Sequence, residues 1–271
     1  MPSPRPPRRD RSASQRDRLV FALGGHDFSR RRGNEALSDY ILALADTDEP
    51  RICLLPTASG DPREQIFAFR RSLADRTCHS SHISLFRLET EPVTAREHLL
   101  SQDIVYVGGG SMLNLLAVWR AHGIDEVLRE AWERGVVLCG QSAGALCWFE
   151  RGITRSAGRA RAVAGLGLLP GVLCVHYHRD HARRHALLDA SANGDAPGFG
   201  VDDGAGLLFR GRELADVVSG EGVGGAWRVE RGPRGVEETP LGVRALDDPR
   251  PAIDAPTAEI AELRRIRALR P

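Results

Sequence analysis

The chain has 271 residues, 42% hydrophobic and 27% charged, which is ordinary globular composition and long enough to bury a core without disulfide staples. Its formal net charge of +1 excludes a global field that would draw it to nucleic acid or to a membrane surface. The five cysteines (Cys53, Cys78, Cys139, Cys147, Cys174) are scattered and contain no CxxC pair. That excludes a disulfide framework or a zinc knuckle and suits free thiols in a reducing, cytoplasmic compartment.

Residues 1–18 are rich in Arg, Pro and Ser and lack the apolar segment of a secretory signal. They read as a disordered basic tail, with residues 19–271 forming a single α/β domain. Leu19-Val20-Phe21-Ala22-Leu23 is an apolar run that meets Gly24-Gly25, a strand ending in a tight turn. A helical period follows over 37–45, then a strand over 51–55 that stops at Pro56-Thr57-Ala58-Ser59-Gly60. Residues 65–74 read as a helix and 83–88 as a strand. Asp103 to Val107 is a buried strand ending in Gly108-Gly109-Gly110. Helices over 113–121 and 124–134 precede another strand, 136–139. This βαβα alternation predicts a three-layer α/β fold with a mostly parallel sheet. Beyond Leu173, short runs such as 206–209 and 226–229 between glycine-rich turns predict an antiparallel extension at the sheet edge. Arg231 to Gly235 reads as a hairpin loop, and 258–269 as a closing amphipathic helix. No apolar run reaches bilayer-spanning length.

In such a sheet, chemistry gathers where strands end at their carboxyl edge. Gly140-Gln141-Ser142-Ala143-Gly144 follows one such strand and precedes a helical run, the strand–turn–helix context of a nucleophile elbow. The glycines flank Ser142 because the turn crowds its neighbours. The N–H of Ala143, opening the helix, faces the position of a developing oxyanion, and the helix dipole adds to that field. Gly108-Gly109-Gly110 lacks both the dinucleotide spacing and a P-loop lysine, so it reads as a second source of oxyanion N–H donors. A serine nucleophile needs a base. His176, His178, His181 and His185 cluster after the strand 173–175, and His176 comes first, at the sheet edge. His181 and His185 are spaced for one face of a solvated arginine-rich helix. The cluster brings no matching acidic or cysteine ligands, so no metal is expected. Asp202-Asp203 sits in a turn before another strand, and either carboxylate suits the acceptor that orients the base.

Together the motifs resemble the dipeptidase E (aspartyl dipeptidase) family of serine peptidases, related to cyanophycinase. The resemblance runs from Leu19 to about Leu246. It is carried by Leu23-Gly24-Gly25, Leu55-Pro56-Thr57-Ala58-Ser59, Tyr106 to Gly110, Gly140 to Gly144, Gly167-Leu168-Leu169-Pro170, His176-Tyr177 and Asp203-Gly204. It implies a class I glutamine-amidotransferase-like (flavodoxin-like) fold with serine as the nucleophile. It also implies hydrolysis of small peptides beginning with aspartate, without cofactor or metal. By position it makes Ser142 the nucleophile, His176 the base and Asp203 the third member, with Gly109, Gly110 and Ala143 as the oxyanion hole. An arginine after the histidine reads the substrate carboxylate in relatives, and Arg183 or Arg184 lies nearest that place. Ser111-Met112 stands where the family usually has Asn-Thr, which makes Ser111 the corresponding pocket residue. Val175 replaces a proline. Thr154-Arg155-Ser156 occupies the stretch where some relatives carry an aspartate. His26-Asp27 replaces a glycine at the rim.

The competing readings are a cyanophycinase-like or isoaspartyl peptidase, an esterase of the same fold, and a non-catalytic small-molecule binder. The expected partner is a small peptide substrate, not nucleic acid or membrane, and homo-oligomerisation is left open.

Overall fold

The computed structural model describes residues 18–25, 32–86, 94–192, 194, 196–220, 224–233 and 235–246. Residues 1–17 of the basic tail, the rim residues His26-Asp27 and the closing helix expected over 258–269 lie outside them.

Fourteen strands among these residues form two sheets. The first is built on β1 (Leu19–Leu23), β2 (Arg51–Leu55), β3 (His79–His82), β4 (Ile104–Val107) and β5 (Val137–Gln141), all parallel, in the order β1-β5-β4-β2-β3. Its other flank is β10 (Ala205–Arg210), β11 (Glu213–Ser219) and β14 (Arg244–Ala245), with β10 antiparallel to both β1 and β11. The second sheet runs β13-β12-β9-β8-β6-β7. It comprises β6 (Phe149–Thr154), β7 (Arg161–Ala164), β8 (Leu169–Val175), β9 (Gly198–Val201), β12 (Ala226–Gly232) and β13 (Gly235–Pro240). Strands β6, β8 and β9 are parallel and the remaining pairings antiparallel.

The expectation of one mostly parallel sheet with an antiparallel edge is therefore only partly met, because both sheets are mixed. The run 206–209 lies inside β10, hydrogen-bonded along the whole of β1, and 226–229 lies in the second sheet. Strands β12 and β13 pair as an antiparallel hairpin, with Gly232 opposite Gly235, where a hairpin loop was expected. The strand placed at 83–88 is instead β3, His-Ser-Ser-His. An edge strand has one neighbour and can be polar, so hydrophobicity pointed to the apolar residues just beyond it.

Alternation along the parallel strands sorts the core into two faces. Phe21, Leu23, Ile52, Leu54, Ile104, Tyr106, Val137 and Cys139 pack with Leu37, Tyr40 and Ile41 of α1 (Arg32–Ala43) and with Phe69 of α2 (Arg63–Ser72). The opposite residues, among them Val20, Ala22, Val105, Val107 and Leu138, meet α4 (Met112–His122), α5 (Ile124–Glu133) and α6 (Ala143–Leu146). The same cluster includes Phe149, Leu169, Leu173, Val175, Phe199 and Val201 from one face of the second sheet. The other face of that sheet packs on α7 (His181–Ala192) through Val172, Cys174, Tyr177, Leu187 and Val229. One apolar core thus joins both sheets, and their carboxyl-end loops meet along a seam. The helix α3 (Ala95–Leu100) opens with a capping box in which Thr94 and Glu97 satisfy each other's N–H groups.

Four cysteines are buried and Cys78 is half-buried, all as free thiols. Burial pushes the Cys174 thiol up to about 12 and raises Cys139 and Cys147 well above the usual range, so none of these three is a ready thiolate.

Candidate active site

Strand β5 delivers Ser142 into a turn that only crowding explains. The residue has φ 50° and ψ −116°, outside the regions an L residue normally occupies. A Cβ on Gly140 would sit 2.1 Å from the Gly144 carbonyl oxygen, and one on Gly144 would sit 2.3 Å from that of Val107. Both glycines are therefore required for the helix to fold back over the strand. The Ser142 N–H donates to the Leu23 carbonyl at 3.1 Å, tying the elbow to the end of β1. The helix after the elbow is a single turn, so its macrodipole is small, and local N–H groups must supply the field at this site.

From the second sheet, His176 leaves the end of β8 with φ 56°, another left-handed non-glycine residue. Its Nε2 lies 3.0 Å from Ser142 Oγ, and its Nδ1 hydrogen-bonds Asp203 Oδ1. With the Nδ1 proton donated to the carboxylate, Nε2 is left to accept from the serine hydroxyl. That hydrogen bond from His176 holds the Asp203 carboxyl below the usual aspartate range, against its partial burial, and Arg179 adds to the effect. Arg179 Nη1 is 3.3 Å from Asp203 Oδ2 on a largely exposed side chain. Asp203 lies in the turn that crosses from β9 in the second sheet to β10 in the first. Its backbone bridges Gly25, and a Cβ on Gly25 would sit 2.3 Å from Asp203 Oδ1 and 3.1 Å from His176 Cε1.

The question of which acid meets which histidine resolves by geometry. Asp203 takes His176, and Asp202 takes His178, with Nδ1 and Oδ2 3.1 Å apart. His181 and His185 are exposed on α7. No group of three or more His, Cys, Asp and Glu side chains suited to a metal ion occurs among the described residues.

The β4 turn lies against the elbow. A Cβ on Gly109 would be 3.3 Å from Ser142 Cβ, so this backbone packs directly on the serine. Gly110 has φ 146° and its missing Cβ would meet the Ala58 carbonyl oxygen at 2.2 Å. Ala143 is buried immediately after the serine. Ser111, which follows Gly110, caps α4, its side chain accepting from the Asn114 N–H at 3.2 Å. The stretch Thr154-Arg155-Ser156 reaches the same helix start, with Ser156 Oγ accepting from the Met112 N–H at 2.9 Å.

The two candidate arginines differ. Arg184 forms a two-pronged pair with Glu238, at 2.9 and 2.8 Å, and lies over the Tyr177 ring, whose hydroxyl also donates to Glu238. Its fork is engaged with β13. Arg183 is mostly buried beside Asp180, with Nε 3.3 Å from Asp180 Oδ2. Its Nε and Nη1 are buried and donate no hydrogen bond among the described residues. Asp180 also takes Arg155 at 3.3 Å and the N–H of Arg183, which together hold its carboxyl low although burial opposes them.

The Arg184 hydrogen bonds hold the Glu238 carboxyl below the usual glutamate range. A carboxyl lowered by folding contributes stability that is complete above its unfolded value and is lost as pH falls through the folded one. Thermal unfolding followed from about pH 7 to pH 3 should therefore show Tm falling once pH drops below about 4. Glu238→Gln should lower Tm at neutral pH and make the acid decline shallower. An unchanged slope would show that this pair does not report folding.

Sequence reasoning missed Arg179, because nothing distinguishes it from neighbouring arginines, and the pairing of Asp202 with His178. The contact of Gly25 with both His176 and Asp203 had a signal in the Gly24-Gly25 turn but no stated role.

Comparisons with known proteins identify the family of the chain. Residues 20–217 match the model of peptidase family S51. A Bacillus subtilis (strain 168) protein named uncharacterized peptidase YgaJ is 40% identical over 228 residues, covering 84% of this chain and 98% of that protein. A peptidase from an acI-B1 Actinobacterium shares the fold with TM-score 0.64 at 17% identity, over 83% of this chain and 94% of that one. A peptidase E candidate from Listeria monocytogenes EGD-e gives TM-score 0.53 at 16% identity, over 73% and 96% of the two chains. With the family model spanning most of the chain, this protein belongs to peptidase family S51, the dipeptidase E family.

Proposed function

We propose that this peptidase is a serine-type dipeptidase in which Ser142, His176 and Asp203 act as a triad. The observation that carries the reading is the continuous Ser142–His176–Asp203 hydrogen-bonded chain, built on two backbone positions of unfavourable φ. Ser142 Oγ attacks the scissile carbonyl carbon while its proton passes to His176 Nε2. The oxyanion of the tetrahedral intermediate is received by N–H groups of Gly109, Gly110 and Ala143, whose backbone is supported around the serine by the glycine contacts above. His176 then protonates the leaving amine, and a water activated by the same nitrogen releases the acyl group. Asp203 keeps the Nδ1 proton in place and stabilises the imidazolium that forms.

The substrate proposed is a small peptide with an N-terminal aspartate, cleaved in the cytoplasm without a cofactor. Arg183, whose Nε faces Asp180 but whose buried Nη1 donates no hydrogen bond among the described residues, supports recognition of the substrate carboxylate better than Arg184, which is committed to Glu238. Comparing Asp-Leu with Asn-Leu tests this. The wild type should favour Asp-Leu by at least about tenfold in kcat/KM, since a carboxylate satisfies a guanidinium that an amide leaves partly unpaired. Arg183→Ala should erase most of that preference and Arg184→Ala should keep it. If both variants keep the preference, the carboxylate is read elsewhere.

A further inference from the structure

His176 performs its proposed role in a backbone conformation that costs free energy, so its surroundings must hold it there. The segment 176–180 is fastened at several points. Tyr177 N–H donates to the Val201 carbonyl at 3.2 Å and Asp180 N–H to the His176 carbonyl at 2.9 Å. Beside the side-chain contacts of His176, Tyr177, Arg179 and Asp180, a further fastening is the carboxylate of Asp202. Asp202 Oδ1 accepts the His178 N–H at 2.9 Å, and Oδ2 faces His178 Nδ1 at 3.1 Å and the Gly225 N–H at 3.3 Å. The Asp202 N–H donates to the Gly225 carbonyl at 3.0 Å, and the His178 ring meets Trp227 edge-on, centroids 4.1 Å apart. The Asp202 carbonyl oxygen lies so close to Gly24 that a Cβ there would sit 2.1 Å away.

One carboxylate therefore joins the histidine turn, the crossover between the sheets and the start of β12. The adjacent residue, Asp203, carries the acceptor of His176. Two consecutive aspartates grip two histidines spaced two apart, one pair at the reacting centre and the other at the rim. A displacement of the 176–178 turn would lengthen the Ser142–His176 and His176–Asp203 contacts together, and a shift of about 1 Å costs on the order of 100-fold in rate.

We propose that Asp202 is a positioning residue for the reaction, holding His176 against Ser142 and Asp203 through its bonds to His178 and Gly225. The proposal rests on the triad reading and adds to it a residue that touches no reacting atom.

The test measures the labelling rate of Ser142 by a fluorophosphonate probe, with kcat and KM for Asp-Leu, in wild type, Asp202→Ala and His176→Ala. Asp202→Ala should label about 10- to 100-fold more slowly and lose kcat by the same factor, with KM changed less than about threefold. A merely structural role would lower Tm while leaving labelling per folded molecule and kcat unchanged. If Asp202→Ala does not fold, Asp202→Asn decides. It keeps an acceptor for the His178 N–H and loses one for Gly225, and should label about three- to tenfold more slowly. A folded Asp202→Ala, or in its absence a folded Asp202→Asn, that labels and turns over at the wild-type rate overturns the proposal. That outcome is distinct from failure of the triad, which would appear as undiminished labelling of His176→Ala.

Discussion

Ser142→Ala should abolish peptide hydrolysis while leaving circular dichroism and Tm close to those of the wild type. The expected loss is on the order of a million-fold in kcat, the scale seen when a triad nucleophile is removed. The substitution deletes one oxygen and leaves the elbow's determinants in place. Gly140 and Gly144 still allow the chain to fold back, and the residue 142 N–H still bonds the Leu23 carbonyl. Ser142 holds φ 50° with a Cβ already present, so alanine inherits the same strain without adding to it. No buried thiol is placed to take over, since desolvation keeps Cys139 and Cys147 protonated. Turnover of purified variant above about one thousandth of wild type would move the nucleophile elsewhere.

The second large effect separates four histidines that composition alone leaves equivalent. His176→Ala should lose about as much activity as Ser142→Ala, because a triad acts as a unit and its members are not additive. His181→Ala and His185→Ala should retain wild-type kcat, since both rings are exposed on α7. His178→Ala should remain active with at most about a tenfold loss. It removes the ring facing Asp202 Oδ2 but keeps the backbone N–H that Asp202 Oδ1 accepts. Steady-state kinetics on the four purified variants decides the matter. An inactive His178→Ala alongside an active His176→Ala would contradict the 3.0 Å contact between His176 and Ser142 as the working one.

Much of the site was legible because its residues obey local rules. The elbow announces itself through two glycines whose absent Cβ atoms would collide with neighbouring carbonyls, and the Gly108-Gly109-Gly110 turn through the same kind of crowding. His176 could be placed because it ends a continuous apolar strand. Asp202 and Asp203 could not be told apart, because successive residues point different ways and only the path of the chain between two sheets assigns each to a histidine. Arg183 and Arg184 posed the same difficulty. Their roles diverge because Arg184 meets Glu238, 54 positions away on β13, a distance no local pattern spans.

The fold was less legible than the site. The parallel strands β1, β2, β4 and β5 are buried on both faces and read as unbroken apolar runs. The second sheet is built partly from strands with charged or half-exposed residues, such as β7 and β13, which carry no such signal. Nor does any local feature say that β10 pairs with β1 while β12 pairs with β9, since that is decided by which apolar faces can share one core.

If His176 activates Ser142 as the nucleophile, covalent labelling should find that serine and no other residue. Wild-type protein is treated with the fluorophosphonate probe, digested, and the adduct located by mass spectrometry while residual Asp-Leu hydrolysis is followed. A single adduct is expected, on the peptide containing Gly140-Gln141-Ser142-Ala143-Gly144, appearing in step with loss of activity and absent from Ser142→Ala. Complete inactivation with the adduct on another residue, or full activity after stoichiometric modification of Ser142, would contradict that role for the serine.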